Sequence, residues 1–165
     1  AMLRSLVGSE MCIRDRSLFE IDHTLFFSNL LQLVIAFMLP LMTAWERESA
    51  SHSAGLRTFP LVSMAACSFT ILGVTMFDDP GAQGRIIGGV VTGIGFIGGG
   101  AILKQKDSVF GTSTAAAIWS TGAVGIAVGL GRLEIALALS VMTFVCLKVV
   151  GRVKKEVEHN TKADS

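Results

Sequence analysis

Ionisable residues are scarce through the middle of this chain, so the few present mark where chemistry could occur. Glu46, Arg47, Glu48 and Arg57 form one short mixed-charge stretch, and Asp78, Asp79 and Arg85 form another. Adjacent carboxylates offer oxygens to a hard cation. Mg²⁺ takes octahedral oxygen ligands, usually one or two carboxylates with retained waters. Residues 93–98, Gly-Ile-Gly-Phe-Ile-Gly, satisfy G-x-G-x-x-G, the fingerprint of a turn that holds a pyrophosphate. Three chemistries are therefore on offer: ion pairing, cation binding and nucleotide binding.

The nucleotide reading fails on context. Such a turn must follow a strand, open a helix and be trailed by an acid about 20 residues on. Here Ile-Ile-Gly-Gly-Val-Val-Thr precedes Gly93 without a polar break, and the chain stays apolar to Lys104. Asp107 lies only nine residues past Gly98.

The elements that carry these residues are long and apolar. The 165 residues are 51% apolar and 16% charged, without tyrosine, at a mean hydropathy of +0.61. A net charge of +1 gives no basic field for nucleic acid, which is excluded as a partner. Five runs are long enough to cross a bilayer as helices: 26–44, 59–77, 86–103, 113–130 and 133–150. They lack the polar face that helices of a soluble bundle need. The expected fold class is an all-α membrane protein, a bundle of about five transmembrane helices with glycine-rich packing, in a lipid bilayer.

Glycine has a different use in such a bundle. At about 100° per residue, Gly88, Thr92, Gly95 and Gly99 share one arc of the third span, with Gly89, Gly93 and Gly100 beside it. Ile86, Ile87, Val90, Ile94 and Ile97 fall opposite. Small residues let helices approach closely in lipid. In the fourth span Ser113, Ala117, Thr121, Gly125 and Gly129 recur every four residues. Two small-residue ridges predict that spans three and four face each other.

Nine basic residues fall on one side: Arg47, Arg57, Lys104, Lys106, Lys148, Arg152, Lys154, Lys155 and Lys162. Arg85 and Arg132 fall on the other. The positive-inside rule places the N-terminus outside and the C-terminus in the cytoplasm. Trp45 and Trp119 then lie near the cytoplasmic interface, and Lys148 is placed to snorkel. Residues 1–16 have no span and no adequate signal-peptide core. They resemble a read-through segment, and are expected to be foreign to a transmembrane domain over 17–151 with a tail over 152–165. Leu18–Thr24 is expected to lead into span one as a short interfacial helix. Cys12, Cys67 and Cys146 support neither a disulfide framework nor a zinc site, and His23, His52 and His159 read as solvated surface.

Spans one to four carry no ionisable residue in their interiors, unlike most proton-coupled transporters. Arg85 falls on the glycine side of span three, so it is expected to face protein; it either pairs with Asp78 or Asp79 or reaches headgroup phosphates. Residues 45–58, with Glu46, Arg47, Glu48 and Arg57, read either as a solvated connector that anchors topology or, with Lys104 and Lys106, as a charged docking surface. No nucleophile–base pair, metal ligand set or catalytic carboxylate pair is visible, so no enzyme is expected.

Three blocks, in order and at matching spacing, carry a family resemblance. Glu46-Arg47-Glu48 is followed after six residues by Gly55-Leu56-Arg57-Thr58. Arg85-Ile86 leads into Val90-Val91 and then Gly93-Ile94-Gly95-Phe96-Ile97-Gly98, with Gly100 and Ala101-Ile102-Leu103 following. Gly111, Thr114-Ala115-Ala116, Ile118-Trp119, Thr121, Ala123, Gly125, Ala127, Gly129 and Gly131 form the third. Over about residues 25–150 the chain resembles the MgtC/SapB family of bacterial inner-membrane proteins. The resemblance implies a link to magnesium homeostasis, and in some members to survival of magnesium limitation or acid stress. It marks Glu46, Arg47, Glu48, Gly55, Arg57, Arg85, Gly93, Gly95, Phe96, Gly98, Gly100, Gly111, Thr114, Trp119, Gly125 and Gly129 as the matching motif positions. The chain departs from the pattern at Pro40, which should kink span one or free the carbonyl of Ala36. Gly89 replaces a common glutamine, and Gly111–Ala116 reads Gly-Thr-Ser-Thr-Ala-Ala. The form expected is the short one, without a C-terminal cytoplasmic domain.

Two function classes follow. One is a non-enzymatic regulator of another membrane protein, or a self-associating partner, with no cofactor. The other is a magnesium transporter, in which Mg²⁺ is ligand or cargo and Asp78, Asp79 and Glu134 are the candidate outer oxygens. Backbone carbonyls of a glycine-rich path would serve as pore lining.

Overall fold

A computed structural model describes residues 22–50, 55–105 and 108–163. Among the described residues six helices run as α1 (His23–Met38), α2 (Leu41–Ala50), α3 (Thr58–Met76), α4 (Pro80–Gly100), α5 (Thr112–Gly129) and α6 (Leu133–Ala163). Between α4 and α5 lies a short antiparallel hairpin, β1 (Leu103–Gln105) and β2 (Ser108–Phe110), with Leu103 opposite Phe110. The read-through segment 1–16, residues 18–21 and Lys106 lie outside the described residues, as do the side chains of 152–163. Of the interfacial helix expected over Leu18–Thr24, the described part is the first turn of α1 and its cap.

Local chemistry sets the helix ends. Asp22 caps α1, its Oδ1 accepting from the Thr24 and Leu25 amides at 2.9 and 3.3 Å. Asp79 caps α4, Oδ2 accepting from the Ala82 amide at 2.7 Å, and Pro80 follows at the position where a missing N–H costs nothing. These two residues start α4 six positions ahead of the span expected from hydropathy. At the end of α5, Gly131 takes φ +72°. Its amide donates to the Val128 carbonyl and that of Arg132 to the Ala127 carbonyl, a Schellman stop.

Pro40 divides the first span. α1 ends at Met38 and α2 begins at Leu41, yet His23–Ser49 together form one apolar segment of spanning length. At the break itself Ser140 on α6 donates its hydroxyl to the Leu39 carbonyl at 2.7 Å. Hydroxyls on neighbouring helices commonly satisfy backbone groups where a membrane helix is interrupted. The expected connector 45–58 is also corrected in part. Trp45, Glu46, Arg47 and Glu48 lie in α2, and the helix runs to Ala50.

This is an all-α membrane protein. Among the described residues three segments are long and apolar enough to cross a membrane: His23–Ser49, Thr58–Met76 and Leu133–Gly151. α4 and α5 have 21 and 18 residues, and their glycines and hydroxyls dilute the hydropathy. α5 tolerates this because it lies at the centre. Thr114, Ala117, Ile118, Thr121, Gly122, Val124, Gly125, Ala127 and Val128 are all buried.

The ridge on α5 closes on α3, not on the α4 glycines. A Cβ on Gly125 would collide with the Ser63 carbonyl, and one on Gly129 would lie 2.9 Å from the Cys67 carbonyl and 2.8 Å from Thr70 Cβ. Two backbones are in contact there. Ile94 of α4 fills the notch over Gly122, and Ile86 abuts Gly73 of α3. So the isoleucine side of α4 packs inward. Of its glycines, Gly98 touches α5, 3.2 Å from the Ala115 carbonyl, while Gly84, Gly88, Gly89, Gly93, Gly95, Gly99 and Gly100 have open space before them. Spans three and four do pack together, as expected, but not ridge to ridge: hydrocarbon on α4 seeks the core, and its smooth face looks outward.

This geometry separates two glycines that the sequence treats alike. Gly125→Leu must part α3 from α5, a clash of the kind that costs about 1–3 kcal/mol or more. Gly95→Leu enters open space and gains helix propensity, by up to about 1 kcal/mol. Thermal unfolding in detergent should show a large loss for the first and none for the second. Equal losses would contradict the packing.

Candidate functional site

The first and third motif blocks meet at one end of the bundle. Arg47, on the last turns of α2, donates from Nη2 to Thr114 Oγ1 at 2.6 Å. Thr114 is buried in the first turn of α5, so a half-buried guanidinium is fixed beside that helix start. Glu48 turns the other way. Its Oε2 accepts from the Leu56 amide at 3.3 Å and ties α2 to the start of α3. Gly55 is buried between them. A Cβ there would stand 2.5 Å from Glu48 Oε2 and 2.9 Å from the Ala44 carbonyl, so the chain passes with no room for a side chain.

Gly111 fixes the other approach. Its φ of +84° lies in the left-handed region, and a Cβ would collide with the Ala101 carbonyl. The hairpin therefore folds back on the end of α4 and delivers α5 beside it. Gly111 is also the N-cap of α5 and provides no capping side chain. Glu46 is half-buried next to Arg47, while Arg57 and Lys104 are exposed.

Other motif residues are not brought to this end. Gly125 and Gly129 belong to the α3–α5 contact. Gly93 lines an apolar groove of about 590 Å³ between α3 and α4, with Leu61, Ala65, Phe69 and Ile97. Gly95 and Gly100 are open, and Phe96 is 86% exposed on the outward side of α4. Trp45 is exposed on α2. Trp119 lies midway along α5 over a shallow dent with Val91 and Ala123, not at the helix end where an interfacial anchor was expected.

The opposite end holds the second charged stretch. Arg85 lies 3.8 Å from Asp79 Oδ2, so the expected pair forms. Yet Arg85 is 76% exposed and does not face protein, because the glycine side that carries it looks outward. An exposed pair of this length contributes about 0–1 kcal/mol. The larger task of Asp79 is to cap α4. Gln83 Nε2 donates to the Phe77 carbonyl at 2.6 Å and closes the α3–α4 turn. Glu134 accepts from Arg132 Nε at 2.5 Å. Among the described residues no three of His, Cys, Asp or Glu gather as a metal cluster, so Asp78, Asp79 and Glu134 do not converge.

Sequence reasoning missed the polar seam of α6. Ser140 meets the Leu39 carbonyl. Thr143 donates to the Leu139 carbonyl at 2.7 Å, which uses its one proton, so Ser120 of α5 donates to Thr143 Oγ1 at 2.5 Å. The signal was present: Ser140, Thr143 and Leu147 recur at helical spacing on one face.

The chain matches the model of the MgtC family over residues 33–156. It is 34% identical over 131 residues to Protein MgtC of Salmonella typhimurium LT2, covering 79% of this chain and 55% of that one. It is 37% identical over 127 residues to the Escherichia coli K12 protein named "Putative magnesium transporter YhiD", covering 73% and 59%. To the Synechocystis protein slr0014 it is 40% identical over 117 residues, covering 71% and 50%. The chain thus spans about half the length of the curated relatives it matches. No solved structure matches it.

Arg47 and Thr114 should behave as one unit. A hydrogen bond to a charged group contributes about 1.5–3 kcal/mol. A double-mutant cycle with Arg47→Gln and Thr114→Val should give a coupling of about 1 kcal/mol in detergent-solubilised stability. Additive losses would contradict the contact.

Proposed function

The chain belongs to the MgtC family of membrane proteins, and from that premise we propose a non-enzymatic regulator linked to magnesium homeostasis, acting by contact within the membrane. One observation carries this reading. Seven glycines of α4 face open space. Each costs an isolated helix about 1 kcal/mol against alanine, and no packing within the chain repays it. In lipid a smooth face of this kind receives another helix. The partner is another membrane protein or a second copy of this chain. The core supports the same reading, since α5 closes directly on the α3 backbone and leaves no passage between them.

The second reading, a magnesium transporter, is favoured by the printed name of the Escherichia coli relative. It would need oxygens along a path, and at that end Asp79 serves a helix cap and Arg85 while Glu134 serves Arg132. We place the protein in the bacterial inner membrane, N-terminus outside and C-terminus in the cytoplasm. Support comes from the Arg47–Thr114 contact, which puts the Arg47 end of α2 and the start of α5 on one side.

Three measurements test this. Liposomes holding the purified protein alone should take up Mg²⁺ at the rate of empty liposomes. Saturable uptake that Asp79→Asn abolishes would establish the transporter instead. In cells limited for magnesium, Gly95→Leu should reach wild-type membrane levels yet fail to restore growth, whereas full restoration would remove the α4 face from function. A cysteine at position 81 should label from outside the cell; labelling from the cytoplasm would invert the orientation.

A further inference from the structure

A second groove, of about 520 Å³, runs between the end of α2, the first half of α5 and the second half of α6. Its size lies within the roughly 300–1,000 Å³ typical of small-molecule sites. Its polarity is distributed unevenly. Arg47 and Ser113 stand at one end, beside the start of α5. Met142, Cys146, Leu147 and Val150 form an apolar wall from α6, inside the span Leu133–Gly151. Ser120 and Thr143 lie midway, but their protons are already given to each other and to the Leu139 carbonyl. The middle of the groove therefore presents little free polarity, and the charge sits at its end.

A ligand for this shape has an anion at one end and hydrocarbon along the rest. The anion would meet a guanidinium, which binds phosphate through paired N–H donors. It would also meet the first turn of α5, which carries a partial positive charge and no capping side chain. Glu48 is engaged by the Leu56 amide. Glu46 adjoins Arg47 in sequence and tempers the charge without filling the groove. The hydrocarbon would lie against Met142, Leu147 and Val150, where the span faces the bilayer.

We propose that this groove binds one anionic phospholipid from the leaflet on the Arg47 side, phosphate at Arg47 and the start of α5, acyl chain along the α5–α6 seam. The site is distinct from the open face of α4, so it stands whether or not that face docks a partner.

The test is lipid retention by native mass spectrometry of the full chain. The protein is purified into detergent, mixed with equimolar phosphatidylglycerol and phosphatidylcholine, and delipidated stepwise. Wild type should keep one phosphatidylglycerol after phosphatidylcholine is lost. Arg47→Gln should reduce that preference about tenfold, the scale of one charge-assisted contact. Because Arg47→Gln also loses its bond to Thr114, a second variant leaves Arg47 in place. Cys146→Trp fills the exposed apolar wall and should displace the retained lipid, while Ala65→Trp, in the α3–α4 groove, should not. Inorganic phosphate at millimolar concentration should not compete, since it has no acyl chain. Equal retention of the two lipids by wild type would overturn the proposal. So would retention unchanged by Cys146→Trp, competition by free phosphate, or a helical peptide or protein in place of the lipid.

Discussion

The bundle depends on one backbone-to-backbone contact, Gly125 of α5 against the Ser63 carbonyl of α3. In lipid there is no hydrophobic effect to draw helices together, so close packing must do it. Gly129 extends the contact by one turn to Cys67 and Thr70. Once α5 is set on α3, Ile94 has a notch to occupy at Gly122, and α4 is placed by that side chain. The core forms around this axis in two clusters, one centred on Cys67 and Val128, the other on Phe59, Ile94 and Ile118. Ser63 hydroxyl is buried there without a hydrogen-bond partner among the described residues, the cost of bringing its carbonyl against glycine.

Polar contacts then fasten the periphery to this axis. Ser140 holds the break at Leu39–Pro40, and the Ser120–Thr143 bond holds α6 to α5. Arg47 locks the end of α2 to Thr114. The same arginine belongs to a groove that opens toward lipid, so the residue that closes the bundle at this end also faces what surrounds it.

Much of this was legible in the residues. The limits of three helices were legible to within a residue or two: 59–77 against Thr58–Met76, 113–130 against Thr112–Gly129, and 133–150 against the apolar part of α6. Hydropathy marks where a helix is apolar, and there apolarity and helix coincide. It misplaced the start of α4 because Asp79 and Pro80 begin a helix through capping, which hydropathy does not register. The glycine ridges showed which faces another backbone can approach, but not whose. The surface of α3 that α5 meets is Ser63, Ala66, Cys67 and Thr70, a strip of mixed types that no glycine count reveals. Arg47 was recognised as a motif residue, yet its partner lies 67 residues away and only the fold could supply it.

The central position of α5 bears on how the protein is made. A helix diluted by glycine and hydroxyl residues is a weak signal to the machinery that releases segments sideways into the bilayer, which weighs each segment by its apolar content. α5 falls in that class, and α4 with it. α3, by contrast, emerges earlier and is apolar enough to settle alone. Its Ser63–Thr70 strip then waits as a template, and α5 enters the membrane by leaving water for a neighbour instead of for hydrocarbon. α6, apolar again, arrives last and seals the open side. Chain order suits this arrangement: the two diluted helices, α4 and α5, are translated between α3 and α6, which are apolar enough to span.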